Sequence, residues 1–140
     1  MIELRRFSAR EIELAIEMKS LDLEWEPFVG NYVFDATHAV KPSSPFQDRV
    51  YFLLNYDCFM QKVGGVARFK EIMTWLPTWS DARAILRSLG VSDAQVRQEL
   101  DRTDAIENDN ELLVLYELIA KRLMQTRRSP AAATSSATRG

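Results

Sequence analysis

The chain has 140 residues, of which 46% are hydrophobic and 27% charged, and its formal net charge is −2. These values are typical of a globular domain and exclude collagen-like, low-complexity and wholly disordered chains. A chain of this size buries enough surface to fold without a disulfide, and its single cysteine could not close one. We expect one globular domain over residues 1–128 and a disordered polar tail over residues 129–140.

The first predicted helix begins at a capping box. Ser8 and Glu11 have the spacing at which each side chain bonds the backbone N–H of the other, and a helical apolar period follows. The period is lost over residues 24–41. Within this irregular stretch, residues 32–34 predict a short strand that pairs with residues 2–4.

Three helix start signals coincide before the middle of the chain. Ser44 is a predicted N-cap, Pro45 suits the first helical position, and Gln47 can reach back to the cap. The predicted helix runs to Val63 and ends at a glycine pair. Because apolar side chains surround nearly its whole circumference over residues 46–63, we expect it to be the centre of the fold.

Further caps and apolar periods predict four more helices in the second half of the chain. They begin near Val66, Trp79, Ser92 and Asn110, the first is predicted to end near Trp75, and Thr78 is the predicted cap of the second. The predicted fold class is therefore all-α, a compact bundle of five or six helices around helix 46–63, with at most a minor two-stranded β pairing near the N-terminus.

The sequence contains none of the common short catalytic or cofactor motifs. It has no glycine-rich phosphate loop, no nucleophile elbow and no calcium loop, and His38 is its one histidine. We therefore expect no catalytic residue, no metal site and no cofactor. Cys58 is predicted to be a small buried side chain on the central helix.

Asp57 is the most unusual carboxylate, because it projects from the predicted apolar helix. Burial would require a partner or would raise its pKa. One interpretation is a packing role, in which Asp57 binds a backbone N–H or an arginine such as Arg68 or Arg83. The other is an enzyme with Asp57 as a carboxylate in a helical cleft.

Residues 82–100 resemble a helix-turn-helix, with Gly90 at the tight turn. The resemblance implies a DNA-binding transcriptional regulator whose helix 92–101 enters the major groove. The residues that it would place nearest base edges are Ser92, Asp93, Gln95 and Arg97. Acidic residues outnumber basic ones on this helix and would oppose binding to phosphates, so DNA binding is the alternative function.

Three aromatic residues, Trp25, Phe28 and Tyr32, lie in the irregular stretch, where they are predicted to anchor a protein partner. Residues 91–117 carry eight acids against two bases, which favours a basic partner. The leading hypothesis is a small non-catalytic adaptor or regulatory protein that acts through protein–protein interaction, with self-association as a further option. No stretch predicts a secretory signal or a membrane span, so we expect a cytoplasmic protein.

Overall fold

The computed structural model describes residues 7–40, 44 and 47–128. These residues form six helices and three strands. In chain order the elements are α1 (Ala9–Ser20), β1 (Tyr32–Asp35), β2 (Val50–Phe52), α2 (Tyr56–Val63), α3 (Val66–Ile72), β3 (Met73–Leu76), α4 (Trp79–Ser88), α5 (Asp93–Arg102) and α6 (Glu111–Arg128). The fold is mixed α/β, and the predicted all-α class is wrong.

The three strands form an antiparallel sheet in the order β2-β1-β3. Tyr32 of β1 lies opposite Phe52 of β2 and Leu76 of β3. Side chains of directly opposite residues share a face of the sheet, and neighbours along a strand point to opposite faces. Tyr32 therefore lies on one face, and the next residue, Val33, lies on the other.

Each face of the sheet is covered by its own group of helices. On the face of Tyr32, a buried cluster joins the sheet to α1, α4, α5 and α6, with Leu86 and Tyr116 among its fully buried side chains. On the face of Val33, a second cluster joins the sheet to α2 and α3 around Phe69. The molecule therefore has three layers, with the sheet in the middle.

The predicted central helix 46–63 is wrong. Residues 50–52 are the edge strand β2, and Gln47 forms an isolated β-bridge with Val50. Only Tyr56–Val63 is helical, and this short helix covers one face of the sheet. Its cap is Asn55, whose side chain accepts a hydrogen bond from the backbone N–H of Cys58 at 3.2 Å.

The reason for this error is physical. A run that is apolar on all sides fits a strand inside a layered fold as well as it fits a central helix. β-branched and aromatic residues over 50–52 favour the strand. Cys58, predicted to be buried, is exposed because α2 lies at the surface.

The predicted helix over residues 66–75 is also too long. Helix α3 ends at Ile72, and Met73–Leu76 continues as a strand that pairs with β1. The strand predicted at residues 32–34 is confirmed, but its partners among the described residues are β2 and β3. Residues 2–4, its predicted partner, and the predicted tail at 129–140 lie outside the described residues.

Most of the predicted helix starts are confirmed. Reciprocal capping boxes begin α1 at Ser8, α4 at Thr78 and α5 at Ser92. The turn between α4 and α5 contains Gly90 at φ 84°, a backbone conformation that favours glycine. These local signals hold because each depends on residues within one turn of the chain.

Candidate functional site

The structure separates the three aromatic residues that were predicted to bind a partner. The rings of Trp25 and Trp75 are stacked, with centroids 5.6 Å apart and planes 7° from parallel, and Trp25 packs against the α2–α3 cluster. Tyr32 lies on the opposite face of the sheet and contacts the ring of Phe7. Phe28 lies in the turn before β1 and is 71% exposed. The three side chains therefore do not form one surface.

Phe28 instead belongs to an exposed apolar surface at one end of the sheet. The backbone N–H of Gly30 donates to the carbonyl of Leu53, and the N–H of Leu53 donates to the carbonyl of Asn31, both at 2.8 Å. These bonds hold the turn before β1 against the end of β2. We name this surface the apolar end. It comprises Phe28 (71% exposed), Val29 (54%), Phe52 (39%) and Leu54 (72%).

The sequence did not predict that Val29, Phe52 and Leu54 belong to an exposed apolar surface. Phe52 and Leu54 fall within the predicted central helix 46–63, whose apolar residues surround nearly its whole circumference. Only the pairing of β1 with β2, together with the hydrogen bonds of Leu53 to Gly30 and Asn31, brings the end of β2 against the turn that contains Phe28. The run of apolar residues that ends before Asn55 was the one signal present in the sequence, and it does not distinguish buried from exposed positions.

A pocket of about 370 Å³ lies where α4 and α6 begin beside the sheet. We name it the aromatic pocket. Its described lining residues are Phe7, Tyr32, Thr78, Trp79, Asp109, Glu111 and Leu112. Ring contacts from Phe7 to Tyr32 (5.4 Å between centroids) and from Tyr32 to Phe52 (5.0 Å) connect this pocket to the apolar end.

The walls of the aromatic pocket are held by specific bonds. The hydroxyl of Thr78 and the carboxylate of Asp81 cap the start of α4 reciprocally. The hydroxyl of the buried Tyr116 donates to the carbonyl of Pro77 at 2.5 Å, which ties α6 to the segment before α4. The guanidinium carbon of Arg83 lies 5.8 Å from the ring centroid of Trp79. These contacts hold Thr78 and Trp79 in place within the fold.

Asp57 does not have the buried position that the sequence predicted. It is exposed in the first turn of α2 and, among the described residues, forms no ion pair. Arg83, one of its predicted partners, bonds Asp93 instead, with Nη2 to Oδ1 at 3.0 Å. The predicted packing role is therefore wrong. Asp57 lines an open depression of about 530 Å³ beside Gly64 and Gly65, and no second titratable group is among its described lining residues, so the enzyme alternative gains no support from its position.

The helix-turn-helix resemblance corresponds to α4, the turn at Gly90, and α5. Ser92 and Gln95 cap α5: the N–H of Gln95 donates to Ser92 Oγ at 3.2 Å, and the N–H of Ser92 donates to Gln95 Oε1 at 2.8 Å. Arg97 is exposed. Helix α5 packs on α6 through Val96 and Leu100. This geometry gives the predicted base-contacting residues Ser92 and Gln95 a structural role.

The charge at the start of α5 is balanced within the molecule. Asp93 accepts hydrogen bonds from Arg87 and Arg83, each at 3.0 Å. These bonds, that of Arg87 first, lower the pKa of the Asp93 carboxyl. Both arginines are therefore already engaged at the corner between the helices.

Comparisons with known proteins identify no relative: no family model matches the sequence, and no curated protein or solved structure is significantly similar. Within the described part of the chain, no three His, Cys, Asp or Glu side chains form a group that could hold a metal ion. None of the described helices has the length and apolar character needed to cross a membrane.

Proposed function

We propose that this protein is a non-catalytic interaction protein that binds another protein through its apolar end. One observation carries the proposal: Phe28 and Val29 are exposed in the turn before β1, and Phe52 and Leu54 are exposed at the end of β2, to which backbone hydrogen bonds join that turn. Single exposed apolar side chains are normal in globular proteins, whereas a contiguous group marks a contact surface.

The energetics favour this surface for binding. Full burial of a Phe or Leu side chain contributes roughly 1.5–3 kcal/mol, so Phe28 and Leu54, which are the most exposed, would contribute most. The turn before β1 and the end of β2 are held together by backbone hydrogen bonds, and the Phe28 N–H also donates to Asn31 Oδ1 at 2.7 Å. A surface that is ordered in advance loses less conformational entropy on binding.

The other two predicted functions, DNA binding and catalysis, have weaker structural support. DNA binding depends on Arg97, since Ser92 and Gln95 are used in capping. An enzyme depends on Asp57 at an open surface. Both stay predictions. We also propose the cytoplasm as the compartment, because the exposed thiol of Cys58 suits a reducing environment.

Site-specific photo-crosslinking tests the proposed function. A photoreactive amino acid replaces Leu54, and the protein is irradiated in native lysate. We expect an adduct of defined mass, and we expect Phe28→Ser in the same chain to reduce its yield severalfold, because Phe28 supplies an adjoining part of the contact. A second copy of the chain in the adduct would identify self-association, and mass spectrometry of the adduct distinguishes the two partners.

The matched control places the probe at Ile16, which is 41% exposed on α1, away from the apolar end. An adduct that forms equally well from Ile16, or that is unaffected by Phe28→Ser, would refute the proposal. Circular dichroism of each variant verifies that the fold is retained.

A further inference from the structure

We propose that the aromatic pocket binds an organic ammonium group. The juxtaposition that carries this inference is three aromatic side chains and two carboxylates around one cavity: Phe7, Tyr32, Trp79, Asp109 and Glu111. No residue of the apolar end is among the described lining residues of the pocket, although the ring of Tyr32 contacts that of Phe52, and the inference does not depend on the proposed function.

The aromatic walls supply the first part of the argument. Ring faces carry partial negative charge and attract cations that come within about 6 Å of the centroid, and cages of such rings suit alkylated ammonium groups. Trp79 already makes this kind of contact with the guanidinium of Arg83, whose charge is paired with Asp93. Trp79 is 38% exposed, so a ligand can reach it from solvent.

The charge of the residues that line the aromatic pocket favours a cation over an anion as its ligand. Helices α4 and α6 both begin at the pocket, and the positive end of each macrodipole is equivalent to about half an elementary charge. The carboxylates of Asp109 and Glu111 oppose these ends with two full negative charges, and Asp81 adds a third in the first turn of α4. Among the described lining residues the charge is negative, so this lining favours a positive ligand.

Size and chemistry narrow the ligand further. A volume of about 370 Å³ falls in the range of about 300–1,000 Å³ that small-molecule sites occupy. Ca²⁺ and Mg²⁺ prefer six or more oxygen ligands, whereas the rings and Leu112 offer apolar contact instead. An ammonium group that carries methyl or methylene groups uses both the rings and the carboxylates.

Titration with choline and with its uncharged isostere 3,3-dimethylbutanol tests the inference. The readout is the indole N–H signal of Trp79 in ¹H–¹⁵N spectra of the full chain, assigned with Trp79→Phe. We expect choline to shift this signal saturably, and 3,3-dimethylbutanol to bind at least about tenfold more weakly, because it lacks the charge that the rings and carboxylates attract. Two results would overturn the inference. One is equal affinity for choline and 3,3-dimethylbutanol. The other is no shift of the Trp79 signal with either compound or with peptides that carry lysine or trimethyllysine.

A second arm distinguishes a free amine from a protein side chain. Short Gly/Ser peptides that carry lysine or trimethyllysine are titrated under the same conditions. Tighter binding of a peptide than of choline identifies a lysine side chain as the ligand, and the reverse identifies a small amine; both support an ammonium site. A shift produced by acetate or sulfate in place of the cations would contradict it.

Charge-neutral variants locate the site. Glu111→Gln and Asp109→Asn should each weaken choline binding about fivefold to tenfold, and the matched control Glu107→Gln, an exposed acid outside the described lining, should not change it. Two acid variants are used because Glu111 also lies in the first turn of α6. Leu54→Ser should leave choline binding intact, which separates failure of this inference from failure of the proposed function.

Discussion

Asp35 shows how a single buried carboxylate organises a loop. It is 1% exposed, and its two carboxylate oxygens accept hydrogen bonds from the backbone N–H groups of Ala39, at 3.0 Å, and Val40, at 2.8 Å. Desolvation by burial is the largest cause that raises the pKa of the Tyr51 phenol, and the negative charges of Asp35 and Asp48 raise it further. Asp35 therefore has a structural role that explains its burial.

Asp35→Ala should lower the free energy of unfolding by about 3 kcal/mol, because two N–H groups lose a charged acceptor. It should also move the pKa of Tyr51 down toward its ordinary 10.0, since one of the negative charges that raise it is removed. Urea denaturation and absorbance titration of the phenol measure the two effects. The exposed Asp57→Ala is the control, and equal stability of the two variants would show that the loop does not depend on Asp35.

At the scale of elements, the ends of a helix depend on short-range hydrogen bonds, whereas the ends of a strand depend on the neighbouring strand with which it pairs. Helix α5 has its own capping box at Ser92, and its first residue, Asp93, bonds two arginines of α4. Strand β3 has no comparable local signal, and its limits are those of its pairing with β1. This difference explains why the start of α5 was predicted from the sequence, whereas the change from α3 to β3 was not.

The Asp93 contacts give the stability of the protein a specific pH dependence. Because the folded-state pKa of Asp93 is lowered from 3.8, its contribution is present above that value and is lost as the pH falls through the folded-state pKa. Asp93→Asn should therefore have a lower thermal midpoint than the wild type at pH 7, and the difference should shrink below about pH 4. Differential scanning calorimetry across this range measures it.

The control is Asp101→Asn, a neutralised acid at the other end of the same helix, whose side chain makes no ion pair within the described residues. Its difference from the wild type should lack this pH dependence. A constant difference for Asp93→Asn from pH 7 to pH 3 would mean that the arginine contacts do not persist in solution.

At the scale of the whole molecule, the central strand couples two hydrophobic clusters. Val33 of β1 belongs to the α2–α3 cluster, and Tyr32 and Phe34 pack against the cluster of α1, α4, α5 and α6. Phe69 is fully buried in the α2–α3 cluster, where its ring contacts Trp25 and Phe59. Because one strand serves both clusters, we expect the described layers to unfold together.

Phe69→Ala should lower the free energy of unfolding by about 3–5 kcal/mol through lost burial and the remaining cavity. Phe28→Ala, which removes a ring of the same size from the apolar end, should change it by less than about 0.5 kcal/mol. Guanidinium denaturation followed by tryptophan fluorescence and by circular dichroism should give coincident single transitions. Separate transitions in Phe69→Ala would show that the α2–α3 layer unfolds independently.

Of the residues predicted to bind a partner, Phe28 belongs to the apolar end and Tyr32 lines the aromatic pocket. The sequence does not show which of these two surfaces each residue joins. Their positions differ because one precedes β1 in a turn and the other begins the strand. Asp109, Glu111 and Trp79 meet Tyr32 only after α4 and α6 pack on the sheet. Contacts between residues this distant in sequence leave no local pattern.

The amino-acid sequence alone determined the helix caps at Ser8, Thr78 and Ser92 and the turn at Gly90, because bonds and backbone preferences within a few residues decide them. Only the tertiary structure decided that residues 50–52 and 73–76 are strands, because a strand is stabilised by hydrogen bonds to a distant segment. The apolar end follows from the pairing of β1 with β2, whereas the aromatic pocket forms where α4 and α6 pack on the sheet.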